Sequence, residues 1–102
     1  MKLDAPCCFE APLWKYDAPK ASWYFITLPK DEAARIKLMA GAMPRGWGSV
    51  PVKARIGETE WQTSIFPSKS SESYILPIKA AVRKAERLTE GSQARITLTF
   101  TL

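Results

Sequence analysis

The chain has 102 residues, 46% of them hydrophobic, and a formal net charge of +5. This length and composition indicate one globular domain, residues 1–102, large enough to bury a core of its own. There is no histidine, and the only two cysteines are the adjacent Cys7 and Cys8. Because histidine is the commonest acid–base catalyst and metal ligand, and two neighbouring thiols cannot complete a four-ligand zinc site, we expect no catalytic residues, no metal and no cofactor.

Apolar runs in the chain are short. None approaches the ~18 residues that a membrane-spanning helix needs, and the N-terminus lacks the apolar stretch of a signal peptide. We therefore expect a cytoplasmic protein without membrane contact, in which both cysteines are reduced thiols in or beside an N-terminal strand.

The first half predicts two strands and a helix. Residues 9–13 alternate in polarity, and Pro12 favours an edge position for that strand. After a turn, the apolar run 23–28 predicts a strand covered on both faces, with Trp23 in the core. Residues 30–40 then predict a helix, because the acidic side chains of its first turn complement the helix dipole.

The second half predicts four more strands, including the short β-type run 74–76, and a second helix. Alternation over 50–56 and 94–102 indicates half-buried strands, and 60–66 forms a hairpin with the former. The second helix is predicted over 78–88. The side chains expected to be buried are Val50, Val52, Ala54, Ile56, Trp61, Phe66, Ile78, Ala81, Val82, Ala85, Leu88, Ala94, Ile96, Leu98, Phe100 and Leu102.

A Leu-Pro pair joins a β-type run to each helix, at Leu28-Pro29 and again at Leu76-Pro77. Proline fits the first turn of a helix, where its missing N–H is not needed. The repeat predicts an internally two-fold, mainly β domain of about six strands and two short α-helices, with the helices closing the open ends of a barrel.

Three motifs in order resemble one small bacterial family. They are RGWGSV at 45–50, WQTSIFP at 61–67 and YILPIKAAVRKAE at 74–86. With the first strand and helix also matching, nearly the whole chain resembles the DUF1905 domains of unknown function. The resemblance implies a small closed or pseudo-two-fold (double-split) β-barrel, a fold class that also holds AbrB-like DNA-binding domains. It implies no activity, since none is established for the family.

The predicted second helix carries an unusual set of cations. Lys79, Arg83 and Arg87 recur every four residues and share a face, and Lys84 lies beside them. Lys79 stands in the first turn, where a cation opposes the helix dipole unless an anion is bound there. The alternative is a solvated charged face, with Lys79 reaching into water.

The glycine-rich loop before residue 50 is the second candidate. Trp47 could stack on a base or a sugar ring, and Arg45 could hold a phosphate or carboxylate. In the alternative reading, Trp47 plugs one end of the barrel and the glycines only make a turn.

These features favour a non-enzymatic binding or accessory domain of bacterial type, monomeric or homodimeric, with an anion-receptive patch for an anionic ligand or an acidic protein. The alternative is nucleic-acid binding of the AbrB-like kind. An enzyme ranks last, because Ser64 with Lys79 is a weak nucleophile–base candidate.

If Arg83 lies open in the patch, reversing its charge should change stability by no more than ~0.5 kcal/mol. The patch residues are Arg45, Trp47, Lys79, Arg83, Lys84 and Arg87, and the nucleic-acid alternative uses Lys53, Arg55, Lys79, Arg83, Lys84 and Arg87.

Overall fold

In the part of the chain that the structure describes, six antiparallel strands form a closed barrel accompanied by two short helices, which confirms the predicted fold class. The computed structural model describes residues 6–40 and 48–100. Around the barrel the strands follow the order β1-β2-β5-β4-β3-β6. In chain order the elements are β1 (Cys7–Ala18), β2 (Ala21–Thr27), α1 (Lys30–Ala40), β3 (Val50–Ile56), β4 (Thr59–Ser68), β5 (Ser73–Pro77), α2 (Ala80–Ala85) and β6 (Gln93–Phe100).

Alternation along β3 and β6 fills the barrel interior as predicted. Successive side chains of a strand point to opposite faces, so every second residue enters the core. Each fully buried aliphatic side chain contributes roughly 1.5–3 kcal/mol through the water it excludes. The residues buried by these two strands are Val50, Val52, Ala54, Ile56, Ala94, Ile96, Leu98 and Phe100, whereas Leu102 lies outside the described residues.

Two strands change partner half-way along their length. The first part of β1 pairs with β6 up to Pro12, and the rest pairs with β2 from Leu13 onward. Likewise β4 pairs with β3 up to Ile65 and with β5 from Phe66 onward. The barrel is therefore split beside the first half of β1 and beside the first half of β4, the arrangement that the family resemblance implied.

β1 is not the edge strand of the sheet that Pro12 predicted, although Pro12 lies in the half of β1 that pairs only with β6 and borders the split. β1 has a neighbour on each side, and Pro12 is its last residue opposite β6, paired with Gln93. The next residue, Leu13, begins the pairing with β2. At this change of partner a missing N–H interrupts neither ladder, which is why proline is tolerated inside a closed sheet.

The internal two-fold passes between β2 and β5, where Ile26 faces Leu76. The Leu28 N–H donates to the Tyr74 carbonyl at 3.0 Å, and the Ile78 N–H donates to the Tyr24 carbonyl at 2.8 Å. Leu28 and Ile78 are thus equivalent, and each helix begins two residues later.

The two Leu-Pro pairs are not equivalent positions in this register. Pro29 directly precedes α1, and its carbonyl accepts the first helical bond from Ala33 at 2.9 Å. Pro77 instead ends β5, opposite Phe25. The equivalent of Pro29 is Lys79, the N-cap of α2, so the repeat predicted the symmetry from positions two residues out of phase.

The second helix is shorter than the predicted 78–88. It ends because Arg87 adopts a left-handed conformation, with φ of 55°. The Leu88 N–H then reaches back to the Arg83 carbonyl at 2.8 Å, the bond of a Schellman C-cap, with arginine at the position where glycine is usual. Ile78 and Val82 are buried as predicted and Leu88 is half-buried, but Ala81 and Ala85 are exposed, because one and a half turns cover little of the barrel.

Outward-facing rings on β1, β2 and β4 form what we call the aromatic face: Trp14, Tyr16, Trp23, Phe25 and Phe66. Trp14 and Phe25 are cross-strand partners with ring centroids 5.0 Å apart, and Tyr16 is the partner of Trp23. Trp23 is 55% exposed and Phe66 42% exposed, so their predicted core positions are wrong. A nearly continuous apolar run does not reveal which side chains point inward. In the described ranges, no helix is long and apolar enough to cross a membrane.

Candidate binding groove

A groove of about 440 Å³ opens where β4 leaves β5. Over Thr59–Ile65 the described strand partners of β4 all belong to β3, so the other edge of the strand borders the groove. The opposite wall comes from the end of β5 and the start of α2. The lining residues are Ser22, Trp23, Tyr24, Trp61, Gln62, Thr63, Pro77, Ile78, Lys79, Ala80 and Arg83.

The groove exists because α2 is short. At the equivalent split beside β1, the eleven-residue α1 lies over the opening and buries Ala33 and Ile36. Its Glu32 lies close to the Cys7 thiol of the split strand. The six-residue α2 buries only Val82 among its own residues, and it leaves the second split partly uncovered.

Arg83 is held rigidly in the groove wall. Its guanidinium lies 3.8 Å from the centroid of the Tyr24 ring, and its Nη1 donates to the Ile78 carbonyl at 2.8 Å. In the other half of the barrel the equivalent carbonyl, that of Leu28, accepts from the buried Ser73 hydroxyl at 2.7 Å. The residue equivalent to Ser73 is Trp23, which cannot supply that hydroxyl, so Arg83 provides the donor instead.

Arg83 is therefore not the freely exposed cation that the sequence predicted. It is half-buried, and the carboxylate nearest to it in sequence is engaged elsewhere, because Glu86 accepts from the Thr59 hydroxyl at 2.6 Å. Its guanidinium has five N–H donors, and the Ile78 carbonyl uses a single one. Arg83 thus combines a structural hydrogen bond with free capacity for an anion.

We expect Arg83→Met to lower the free energy of unfolding by about 1–2 kcal/mol. Methionine keeps the length of the side chain but removes both the donor to Ile78 and the cation over Tyr24. Urea denaturation of the two proteins measures the difference. A change below ~0.5 kcal/mol, as at an open surface site, would show that these two contacts contribute nothing to the fold.

Lys79 supplies the second cation of the groove. It is the N-cap of α2 and is exposed, with extended backbone angles and no side-chain capping bond. The register of β2 and β5, continued by the bond from Ile78 to Tyr24, sets it opposite Trp23. Among the described residues the ion pairs involve neither Lys79 nor Arg83; they join Lys15 to Asp17, Lys30 to Glu72, Arg35 to Glu32, Lys53 to Glu60 and Arg95 to Glu10.

Comparison with protein families supports the resemblance seen in the sequence. The family model of the domain of unknown function DUF1905 matches residues 9–98. The chain belongs to the DUF1905 family. The match runs from the first half of β1 into β6, so it covers most of β1 and all of β4, the two strands that change partner. No curated protein matches the chain.

In this DUF1905 domain only part of the predicted patch comes together. Lys79 and Arg83 both line the groove, whereas Lys84 is exposed on α2 and does not. Arg87 lies past the end of the helix in its left-handed conformation, so the predicted i, i+8 stripe does not form. Arg45 and Trp47 lie outside the described residues.

The cations of the nucleic-acid alternative are only partly brought together, since the groove lining includes Lys79 and Arg83 but neither Lys53 nor Arg55. Lys53 and Arg55 project from β3, where Lys53 is 4.0 Å from Glu60 and the Arg55 Nε donates to the Gly57 carbonyl at 2.9 Å. Of the two, Lys53 is nearer to the groove, as the cross-strand partner of Gln62. Of the helix cations that the alternative also uses, two line the groove and two do not: Lys79 and Arg83 do, Lys84 and Arg87 do not.

The groove contains three aromatic side chains that the sequence did not assign to a site: Trp23, Tyr24 and Trp61. Trp61 is buried as predicted, at 8% exposure. Strand parity could have found Trp23, because Ile26 points inward and residues an odd number of positions away point outward. Applying this rule requires knowing which residues of the strand point inward, and that depends on the pairing with β5, which could not be predicted from the sequence.

Other places are weaker candidates for a site. Ser64 does not line the groove beside Lys79, and over the described ranges no three acidic, cysteine or histidine side chains gather as metal ligands. A second cavity of about 480 Å³ lies between α1 and the β4–β5 turn. Its Lys30 is already paired with Glu72 at 3.3 Å, and its Tyr74 ring is buried.

Proposed function

We propose that this DUF1905 domain is a non-enzymatic binding module, acting in the bacterial cytoplasm, whose groove takes an anion that carries a planar ring. The observation that carries the proposal is the pair of cations: Arg83, fixed over Tyr24, and Lys79 beside it, both facing a groove whose rim holds the exposed Trp23.

Each part of such a ligand has a matching group. A phosphate or carboxylate would accept from the Lys79 ammonium and from the remaining N–H groups of Arg83, in the forked geometry that guanidinium offers. A planar ring would stack on Trp23. Because Arg83 is already held by Tyr24 and the Ile78 carbonyl, little side-chain entropy is lost when the anion binds.

Binding rather than catalysis fits the chemistry of the groove. The chain has no histidine, and neither lysine nor arginine at the rim has a neighbouring base in the groove lining. The fold raises the pKa of the Cys7 thiol and of the Tyr74 hydroxyl by burial, but neither residue lines the groove. Groups with perturbed pKa values mark catalytic clefts, and these two lie elsewhere.

We expect Lys79→Glu to weaken binding of a phosphate-bearing ring about tenfold or more, since it replaces a charge-assisted hydrogen bond with a repulsion. Calorimetric titration with adenosine monophosphate measures the affinity. Lys37→Glu is the matched control, because it makes the same charge change on an exposed residue of α1, away from the groove.

Inorganic phosphate and an aromatic compound without charge serve as further probes. The proposal expects each to bind more weakly than the compound that combines ring and anion. If Lys79→Glu and Lys37→Glu lower the affinity equally, the effect comes from net charge and the groove is not the binding site. No binding by any of the probes would also contradict the proposal.

A further inference from the structure

The aromatic face begins at the groove and extends beyond it. Trp23 belongs to both, and its cross-strand partner Tyr16 lies next to it on β1. Tyr16 is 56% exposed and Trp23 55% exposed, so each offers a ring surface that the fold does not use. Trp14 is satisfied internally, since its Nε1 donates to the Thr27 hydroxyl at 2.8 Å.

A continuous path of rings therefore starts beside the cations. Lys79 stands opposite Trp23, and Trp23 is followed outward by Tyr16. On the other side, Phe25 faces Pro77, and Phe66 lies opposite Ile75 on the same outer surface. Thr27, opposite Ile75, adds a hydroxyl to these rows. The nearest acidic side chain in sequence is Asp17, beside Tyr16, and it is already engaged by Lys15 at 3.4 Å and by the Ser22 hydroxyl at 2.9 Å.

We infer that the aromatic face, together with the groove, binds single-stranded nucleic acid. Bases stack on Trp23 and Tyr16, and backbone phosphates lie against Lys79 and Arg83. The inference rests on the proposed function, because it uses the same two cations, and it extends that function from one ring to successive bases.

Charge and ring type favour this occupant. The chain carries a net charge of +5, and exposed aromatic rings beside unpaired cations are the combination that sequence-tolerant single-strand binders use. A second copy of the chain would bring Lys79 and Arg83 towards the same cations across a two-fold contact. A duplex keeps its bases stacked on one another and cannot lay them on protein rings.

Fluorescence anisotropy with a labelled twelve-nucleotide thymidine strand tests the inference. Tyr16→Ala should weaken binding about fivefold or more, the loss of one base–aromatic stack, whereas Tyr16→Phe should bind as the unchanged protein does. Leu38→Ala is the control, since Leu38 is exposed on α1 and lies outside both surfaces. Lys79→Ala should weaken binding and make it less sensitive to salt.

The outcomes separate the two proposals. If adenosine monophosphate binds in the groove but the strand binds no tighter and Tyr16→Ala has no effect, the inference fails while the proposed function stands. If neither binds, both fail. Equal affinity for duplex and single strand, or tighter binding of a polyglutamate peptide that represents an acidic protein, would overturn the inference as well.

Discussion

Replacing Trp61 with alanine should lower the free energy of unfolding by about 3–5 kcal/mol, as for other buried aromatic residues. Trp61 lies in the half of β4 that pairs only with β3, opposite Ala54, and it is 8% exposed. Its ring closes the barrel beneath the groove, and the small Ala54 cannot fill the space left behind. Urea denaturation measures the loss, with the same dependence of the free energy of unfolding on urea concentration used for both proteins.

Trp23→Ala is the matched control for this experiment. Trp23 is the same residue type on the rim of the same groove, but it is 55% exposed. We expect its replacement to change stability by less than ~1 kcal/mol, because it removes little buried surface. Equal losses in the two variants would contradict the burial that distinguishes them.

Cys8 should react with a thiol reagent about thirtyfold or more faster than Cys7 at mildly alkaline pH. Burial, helped by the nearby Glu32 carboxylate, raises the pKa of the Cys7 thiol from 9.0 to about 12. Since the thiolate is the nucleophile, the raised pKa reduces the reactive fraction of Cys7 about a thousandfold. The stronger nucleophilicity of a more basic thiolate recovers roughly thirtyfold of this loss, and burial blocks access further.

Cys8 is the internal control, because it follows Cys7 on β1 and points to the opposite, exposed face. Native protein treated with iodoacetamide should be labelled once, at Cys8, and denatured protein twice, as counted by mass spectrometry. Rapid double labelling of the native protein would mean that α1 does not cover the split beside β1. The raised pKa also predicts that stability falls as pH rises from about 9 towards 12, because the unfolded thiol ionises first.

Strands with one solvent-exposed face can be predicted from the sequence, together with which of their side chains are buried. Along β3 and β6, apolar and polar side chains alternate, so the pattern names both the strand and its buried face. Along β2 it does not, because Trp23 and Phe25 are outward aromatics beside the inward Ile26. There, only the pairing with β5 decides which residues face the core.

The end of α2 was predicted too late for a related reason. The periodicity of residues 78–88 indicates a helix throughout, but Ile78 is held by the strand bond to Tyr24, and Arg87 takes a left-handed conformation that propensity disfavours. A strand bond at the start and a local left-handed cap at the end therefore shorten the helix, and the short helix leaves the groove open.

Two cations of the candidate site can be predicted from the sequence, but its aromatic residues cannot. The sequence predicts a six-residue anion-receptive patch, and of its described members Lys79 and Arg83 line the groove, whereas Lys84 and Arg87 do not. What the sequence concealed was the second role of Arg83, as donor to the Ile78 carbonyl, and the nearness of Trp23 and Trp61. Trp23 and Trp61 are far apart in the chain, and the Arg83 bond, although it spans only five residues, forms because Ile78 ends in the strand register with Tyr24. No local pattern predicts either arrangement.

The most direct test of the groove as a binding site follows the tryptophan indole N–H signals by nuclear magnetic resonance while adenosine monophosphate is added. Each signal is assigned by a tryptophan-to-phenylalanine substitution. The account predicts that the signals of Trp23 and Trp61 shift in a saturable manner and that the Trp14 signal, held by Thr27, stays in place. In Lys79→Glu the same shifts should need about tenfold or more adenosine monophosphate. Saturable shifts confined to Trp14, or no shift at Trp23 at any concentration, would contradict it.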